Sequence, residues 1–320
     1  MVGINEYLYS RFPEALFGAE DSEPYINSLA RGLEVTSKLN VVITGLCKNV
    51  APVLDHTIAR MYKTSSFFNS CKFVVYENDS EDGTSERLKE HASKDDQFIL
   101  LQESTGHKGF DSTSKTLDRA LYLSMLRNKC QNIIVKLNYS YKIDYVIVID
   151  LDLEGGWSYD GILNSFAYDL DGWSAMTANG IRYESRITRL KNHHSVWDSR
   201  LECTRYLHDT WAYRDYGCEE LKADVHHPGT GSKGVSSYAF ERGDPPIEVF
   251  SNFNGLGIYK WEDMIQCEYG AEKHENGTID CDHPYLHKQI RNNGGSIYLN
   301  PSMITLYSPH EFSLNIERQP

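Results

Sequence analysis

Four short apolar runs set the frame of this sequence: NVVITGL (Asn40 to Leu46), CKFVVYEN, QFILLQE and DYVIVID. Between them lie segments of helical period. APVLDHTIARMY puts Val53, Leu54, Ile58, Met61 and Tyr62 on one stripe; Asn49 can cap it and Pro52 suits its first turn. DSEDGTSERLKEH is a turn opening a second helix. STSKTLDRALYLSMLRNKC is a third, with Leu117, Ala120, Leu121 and Met125 on its stripe. Strand and helix in alternation predict an α/β fold, with a mixed, mostly parallel sheet flanked by helices on both faces. In such sheets ligands bind beyond the carboxyl ends of the strands. Asn49, Glu77, Asp79, Asp150 and Asp152 all fall at those ends.

Composition narrows the function classes. A hydrophobic share of 40% over 320 residues can bury a core without disulfide staples. A formal net charge of −13 opposes long-range steering toward a polyanion, so no nucleic-acid partner is expected. The seven cysteines form no CxxC pair, which removes zinc-ligand spacing and predicts reduced thiols of a cytoplasmic protein. The sequons at Asn78, Asn138 and Asn276 follow no signal peptide, and no apolar run approaches the ~20 residues of a membrane helix.

The two halves differ in character. Residues 1–37 read as a polar N-terminal extension with weak helical stretches. A single domain is expected over 38–312, divided into a first half, 38–156, and a second half, 157–312. From about 176 to 250 the chain is rich in Arg, His, Tyr, Gly and Pro, and about 225–246 reads as a long loop, the kind that serves as a lid. VFSNFNGLGIYKWEDM returns to strand, glycine turn and strand or helix. CDHPYLHKQIRNNGG is a helix ended by glycine, and SIYLNPSMITLYSPHEF a last strand and tail.

The segment YVIVIDLDLEGG carries the chemistry. Side chains two apart on a strand share a face, so Asp150 and Asp152 point the same way. Two carboxylates that close repel unless a cation sits between them, and hard oxygen donors suit Mg²⁺ or Mn²⁺. The bland alternative is a solvated acidic turn. Glu77, Asn78 and Asp79 can accept hydrogen bonds from a base or ribose at the sheet edge, while Asp82-Gly83-Thr84 is a turn and cap.

A strand ending in ENDSEDGT, then an R-A-L helix, then VIVIDLDLE, resembles the GT-A glycosyltransferases. TANGIRYES followed by HDTWAYRDYG resembles the central segment of the fungal capsule-associated α-mannosyltransferase family and its bacterial and viral relatives. FNGLGIYK resembles the glycine loop of that fold, DCDHPYLH the acidic motif opening the acceptor-side helix, and YSPHEF the region of a C-terminal metal-binding histidine. The resemblance implies a Rossmann-like GT-A fold with a nucleotide-sugar half and an acceptor half. It implies a metal-dependent transferase that takes a hexosyl, mannosyl-type sugar from a UDP- or GDP-linked donor to a glycan or other hydroxyl acceptor.

The same resemblance assigns roles. Asp152 would ligate Mn²⁺ or Mg²⁺ directly, and Asp150 would contact ribose or ligate through water. His310 would complete the metal shell or else lie in a solvated tail. Glu154 would touch the sugar or face water. Lys48, Asn49 and Arg119 would meet the donor; Arg119 could equally pair with Asp118 or Glu103. Asp282, with Asp280 next, would act as general base, position the acceptor, or simply cap its helix. Asp209, Trp211, Arg214 and Asp215 would line the sugar cleft, and Gly255 and Gly257 would let backbone approach substrate. His283 and His287, one turn apart, read as a packed pair or a metal pair. Two other readings compete. A haloacid-dehalogenase-type phosphotransferase also puts DxD after an apolar strand, but wants Thr or Val where Glu154 stands. A non-catalytic sugar-binding protein would keep the fold without turnover.

Overall fold

The computed structural model describes residues 12–19, 22–107, 109–110, 114–169, 172–191, 197–217 and 238–307. After a 3-10 turn, Glu14–Phe17, the chain runs α1 (Glu23–Thr36), β1 (Asn40–Cys47), α2 (Leu54–Ser65), β2 (Ser70–Asn78), α3 (Thr84–Lys94), β3 (Phe98–Glu103), α4 (Leu117–Leu137) and β4 (Tyr145–Ile149). The second half continues with β5 (Gly156–Trp157), α5 (Tyr159–Ser165), β6 (Ala175–Lys191), β7 (Trp197–Leu207), β8 (Arg214–Asp215), β9 (Ile247–Ser251), β10 (Leu256–Lys260) and α6 (Trp261–Met264). It closes with β11 (Glu272–Lys273), β12 (Ile279–Asp280), α7 (Asp282–Asn292) and β13 (Ile297–Leu306).

One large sheet has the order β3-β2-β1-β4-β10-β6-β13-β9-β8. The strands β3, β2, β1, β4, β6 and β13 run the same way, with β10 reversed between β4 and β6 and β9 reversed beside β13. This is the expected mixed, mostly parallel sheet flanked by helices. From β1 the chain steps outward through β2 to β3, then returns to place β4 on β1's other side. The strand order therefore reverses between β1 and β4, and the carboxyl ends of those two strands are where such a sheet places its ligand.

Alternation along the strands separates two cores. Val41, Ile43, Phe73, Val75, Ile147 and Ile149 face the layer with Leu54, Ile58 and Met61 of α2. Val42, Val74, Tyr76, Val146 and Val148 face the layer with Ala120, Leu126, Cys130 and Ile134 of α4 and Leu286 and Ile290 of α7. The parity continues past β4: Leu151 and Leu153 belong to the α2 layer, so Asp150 and Asp152 project on the α4 and α7 side.

Several local expectations change. Asn49 does not cap α2: the helix starts at Leu54, and Asn49 is in the left-handed region at φ 55°. The preceding turn is instead held by Ala51 N–H to Asp82 Oδ2 (2.9 Å) and Val50 N–H to Thr84 Oγ1 (2.9 Å). The stripe drawn for α4 is also displaced. Leu121 and Met125 are 46% and 43% exposed, and the buried face carries Ala120, Ser124, Arg127, Gln131 and Ile134. Where residues 22–36 read as weakly helical, α1 is a full helix packed on α5: a Cβ at Gly32 would lie 1.9 Å from Leu163 O. The 3-10 turn docks too, Glu14 accepting from Ser158 Oγ (2.7 Å) and Tyr159 N–H (2.8 Å) and pairing with Arg242. The region after 175 holds a long antiparallel pair, β6 with β7, from Ile181↔Leu207 to Lys191↔Trp197. The predicted loop over about 225–246 lies mostly outside the described residues; its described end, 238–246, contains neither helix nor strand.

Candidate active site

The carboxyl edge at the reversal point carries Asp150 and Asp152, with Asp282 tied to Asp150 through an arginine. Asp150 is anchored through its backbone, its N–H donating to Gly255 O at 2.9 Å. Gly45 of β1 makes room for the turn beyond β4, since a Cβ there would meet Ile149 O at 2.4 Å and the Leu151 side chain at 2.7 Å. Thr57 Oγ1 of α2 donates to Leu151 O at 3.2 Å. Held in this way, Asp152 is exposed while Leu151 and Leu153 on either side are buried. Glu154 is also exposed.

A side chain absent from the sequence expectations organises the site. Arg127 of α4 has a side chain only 9% exposed; its Nε donates to Asp282 Oδ2 at 2.5 Å and its Nη2 to Asp150 Oδ1 at 3.1 Å. The guanidinium lies over the rings of Phe253 (5.2 Å) and Tyr269 (5.8 Å). Burial opposes its charge, but Asp282 and Asp150 outweigh that and raise its pKa. A signal existed: on α4, Arg127 sits at helical spacing between Ser124 and Gln131 on the core face, where an arginine requires a buried partner.

The carboxylates influence one another. Burial, reinforced by Asp152 and Asp209 and opposed by Arg127, raises the pKa of Asp150. Asp152 reaches solvent, yet the protein crowded around its carboxylate raises its pKa as well, with its own backbone N–H opposing first and then Arg127 and Arg119. Asp209 follows β7; its Oδ1 accepts from Trp211 N–H (3.2 Å) and Ala212 N–H (3.3 Å), and its own N–H donates to Asn254 Oδ1 (2.8 Å). Burial raises its pKa, the backbone bond from Ala212 and the charge of Lys115 oppose, and Asp282 adds to the rise. Tyr307, at the end of β13, is held in its phenol form by burial and then by Asp150, Asp209 and Asp152.

The donor-side candidates are mostly engaged with the protein. Glu77 is buried, accepting from Ser80 N–H (3.0 Å) and Gln102 Nε2 (2.9 Å). Asp79 accepts from Thr105 N–H at 3.1 Å, from Thr105 Oγ1, and from Ser104 Oγ (3.0 Å). The Thr105 bond leads in holding its pKa below the usual carboxylate range. Asn49 Oδ1 accepts from Glu81 N–H (2.8 Å), and Lys48 Nζ donates to His107 O (2.9 Å). Lys48 and Asp79 tie the loop after β3 to the ends of β1 and β2, while Asn49 and Glu77 hold the loop after β2. Arg119 pairs with neither Asp118 nor Glu103. Its Nη1 donates to Ser114 O (3.0 Å), and its guanidinium lies 5.3 Å over the Trp211 ring.

On the other side, Trp211 is fixed by its Nε1 donating to Ile279 O at 2.8 Å. Arg214, expected to line the sugar cleft, and Asp280, the second general-base candidate, form a buried tie. Arg214 donates to Trp211 O (2.7 Å) and Tyr213 O (2.8 Å) and pairs with Asp280, which also lies 2.9 Å from His274 Nε2. Asp215 accepts from Tyr213 Oη (2.9 Å) and Tyr238 Oη (3.3 Å). Above Gly255, at φ 82°, the Tyr307 hydroxyl would meet a Cβ at 2.5 Å; at Gly257 the Tyr259 ring would at 2.7 Å. Protein, not open space, covers both glycines. Asp282 is the first residue of α7, whose N-cap is Cys281, and no side chain caps the helix. His283 and His287 are a packed pair: both are buried and both face the Tyr259 hydroxyl, at 3.2 and 3.0 Å. His310 lies outside the described residues.

Among the described residues no group of three or more His, Cys, Asp or Glu is arranged to hold a metal, and no helix is long and apolar enough to cross a membrane. The donor chemistry at Asp150 and Asp152 still fits a hard divalent ion. Two oxygen-only side chains share a face, burial and mutual repulsion disfavour their charges, and Asp152 reaches solvent. Magnesium or manganese held by one or two carboxylates completes its shell with water and substrate phosphate.

No family model matches the chain, and no curated protein matches it. Among solved structures it is similar to the mannosyltransferase PcManGT from Pyrobaculum calidifontis in complex with GDP-Man and Mn²⁺, at 11% identity and a TM-score of 0.44, over 99% of this chain and 74% of that one. It is similar to GalNAc-T7 with UDP, GalNAc and Mn²⁺, at 8% identity and 0.41, over 84% and 44%. It is similar to residues 1–349 of TarS from S. aureus, at 10% identity and 0.43, over 86% and 62%. The chain thus spans less than two thirds of the latter two. These likenesses are distant, and the site's own geometry carries the functional reading.

Proposed function

We propose that the chain is a metal-dependent glycosyltransferase of GT-A type, moving a sugar from a UDP- or GDP-linked donor to a hydroxyl of a glycan or other acceptor. The observation that carries this is the pairing of Asp150 with Asp282 through Arg127 at the carboxyl edge between β1 and β4, with Asp152 two residues beyond Asp150. Asp152, with Asp150 beside it, would hold Mn²⁺ or Mg²⁺, which when bound supplies Lewis-acid stabilisation to a leaving diphosphate. Arg119, half-buried over the ring of the buried Trp211, offers a cation toward the donor sugar. Asp282 receives the acceptor hydroxyl: as general base if configuration inverts, as a positioning acceptor if it is retained. Asp209 and Glu154 are left to bond sugar hydroxyls. Lys48, Asn49, Glu77 and Asp79 serve by shaping the nucleotide side, through the loops after β2 and β3 that they tether.

The test is a panel of UDP- and GDP-sugars, beginning with GDP-mannose, incubated with purified protein and Mn²⁺. Release of nucleoside diphosphate that excess chelator abolishes is the expected result. Release of inorganic phosphate from phosphoesters instead would assign the chain to the phosphotransferases, and sugar binding without turnover to the binding proteins.

A further inference from the structure

Three acidic side chains, Asp150, Asp152 and Asp282, converge where the proposed reading places metal and acceptor. Repulsion among them is unopposed in the metal-free chain unless a resident cation offsets it. Arg127 is placed for that. It reaches out of α4 with its charge buried, gives one nitrogen to Asp150 and another to Asp282, and has its plane fixed by Phe253 and Tyr269. The two bonds use only Oδ1 of Asp150 and Oδ2 of Asp282, so each carboxylate keeps a second oxygen. A planar guanidinium fork can hold two carboxylates in one fixed relation; an ammonium is a point charge and has no fork.

We infer that Arg127 is a positioning residue that assembles the site before metal arrives, standing in as the cation for Asp150 and setting the place of Asp282 relative to it. This rests on the glycosyltransferase reading for the identity of the two carboxylates. The metal and Arg127 are then partial substitutes: both neutralise Asp150, from different sides. Removing Arg127 makes the fold depend more on bound metal.

The experiment compares wild type, Arg127→Met, Arg127→Lys and Arg242→Met. The last breaks another buried arginine pair, with Glu14, remote from the carboxyl edge between β1 and β4. Melting temperature is read in chelator and then with Mn²⁺ plus UDP or GDP. In chelator, Arg127→Met should melt roughly 5–15 °C below wild type, as loss of one partner of a buried pair does, and Arg127→Lys should fall between. Mn²⁺ with nucleotide should raise the melting temperature of Arg127→Met, or of Arg127→Lys if the former does not fold, more than that of wild type. The rise for Arg242→Met should match wild type, because that variant is destabilised without touching the site. Equal rises in wild type and the Arg127 variants would overturn the inference and leave the glycosyltransferase reading standing. No rise in wild type with either nucleotide would overturn both.

Discussion

Asp152 is the residue on which the metal reading turns. It is exposed at a strand end between two buried leucines, so its side chain contributes little packing. Asp152→Ala is therefore expected to leave the melting temperature nearly unchanged while removing Mn²⁺-dependent turnover. Full turnover by this variant would sink the metal role. Asp282 is different, because its side chain is 6% exposed and bonded to Arg127. The sequence offered base, acceptor positioning or cap, and the structure adds a further role, anchor of a buried ion pair. Asp282→Asn should lower stability by about 1–3 kcal/mol through the weakened pair and reduce transfer by ~10²–10⁴-fold, with donor affinity retained. Transfer within a few-fold of wild type, measured on protein shown to be folded, would make Asp282 structural alone.

At the scale of elements, the turn from β9 into β10 holds the DxD strand in register: Gly255 O accepts the Asp150 N–H. Gly255 adopts φ 82°, and the Tyr307 hydroxyl closes the space above it. Gly255→Ala meets both obstacles and should cost about 1–3 kcal/mol in a urea titration. Adding Tyr307→Phe removes the atom nearest the new methyl, so the double variant should recover part of that loss. If the double variant recovers nothing, backbone strain alone accounts for the glycine. The α4 helix teaches a related lesson. Its apolar residues suggested one face, and the fold buries a face carrying Arg127 and Gln131. Gln131 Nε2 donates to Cys267 O at 2.7 Å, so the face is satisfied by specific partners rather than by hydrophobicity.

Over the whole molecule, buried histidines set a response to acid. His287 is fully buried between Ser251 Oγ (2.9 Å) and the Tyr259 hydroxyl, and burial, with a smaller contribution from Arg291, pushes its pKa down to about 3 from 6.5. The unfolded chain takes up the proton near pH 6.5, whereas the folded chain refuses it until about pH 3. Stability from this group is therefore complete above 6.5 and lost as pH falls toward 3. At about 1.36 kcal/mol per pH unit, the loss reaches roughly 2–3 kcal/mol two units below the unfolded pKa. The raised carboxylates Asp150 and Asp209 act in the opposite sense, so the wild-type profile alone does not isolate it. The measurement is the stability difference between wild type and His287→Gln. It should shrink by roughly that amount between pH 7 and 4.5, and a constant difference would show that His287 is not held neutral.

What the sequence determined by itself is the frame. Runs of β-branched residues separated by amphipathic segments dictate parallel strands with helices on both faces, because each apolar face must be buried. That is enough to bring Asn49, Glu77, Asp79, Asp150 and Asp152 to one edge. The period of two put Asp150 and Asp152 on one face, and a helix opening at Asp282 was legible from its pattern. Only tertiary structure decided which polar residues meet. Arg127 lies 23 residues from Asp150 and 155 from Asp282 along the chain, and no local period encodes such pairings. Asp280 and Asp282 are two residues apart, yet one is enclosed by Arg214 and His274 and the other is tied to Asp150 through Arg127. Propensity and periodicity are properties of neighbours in sequence. The partner of a buried charge is set by which distant elements the sheet order brings together, and that order is completed only when the second half of the chain packs beside β4.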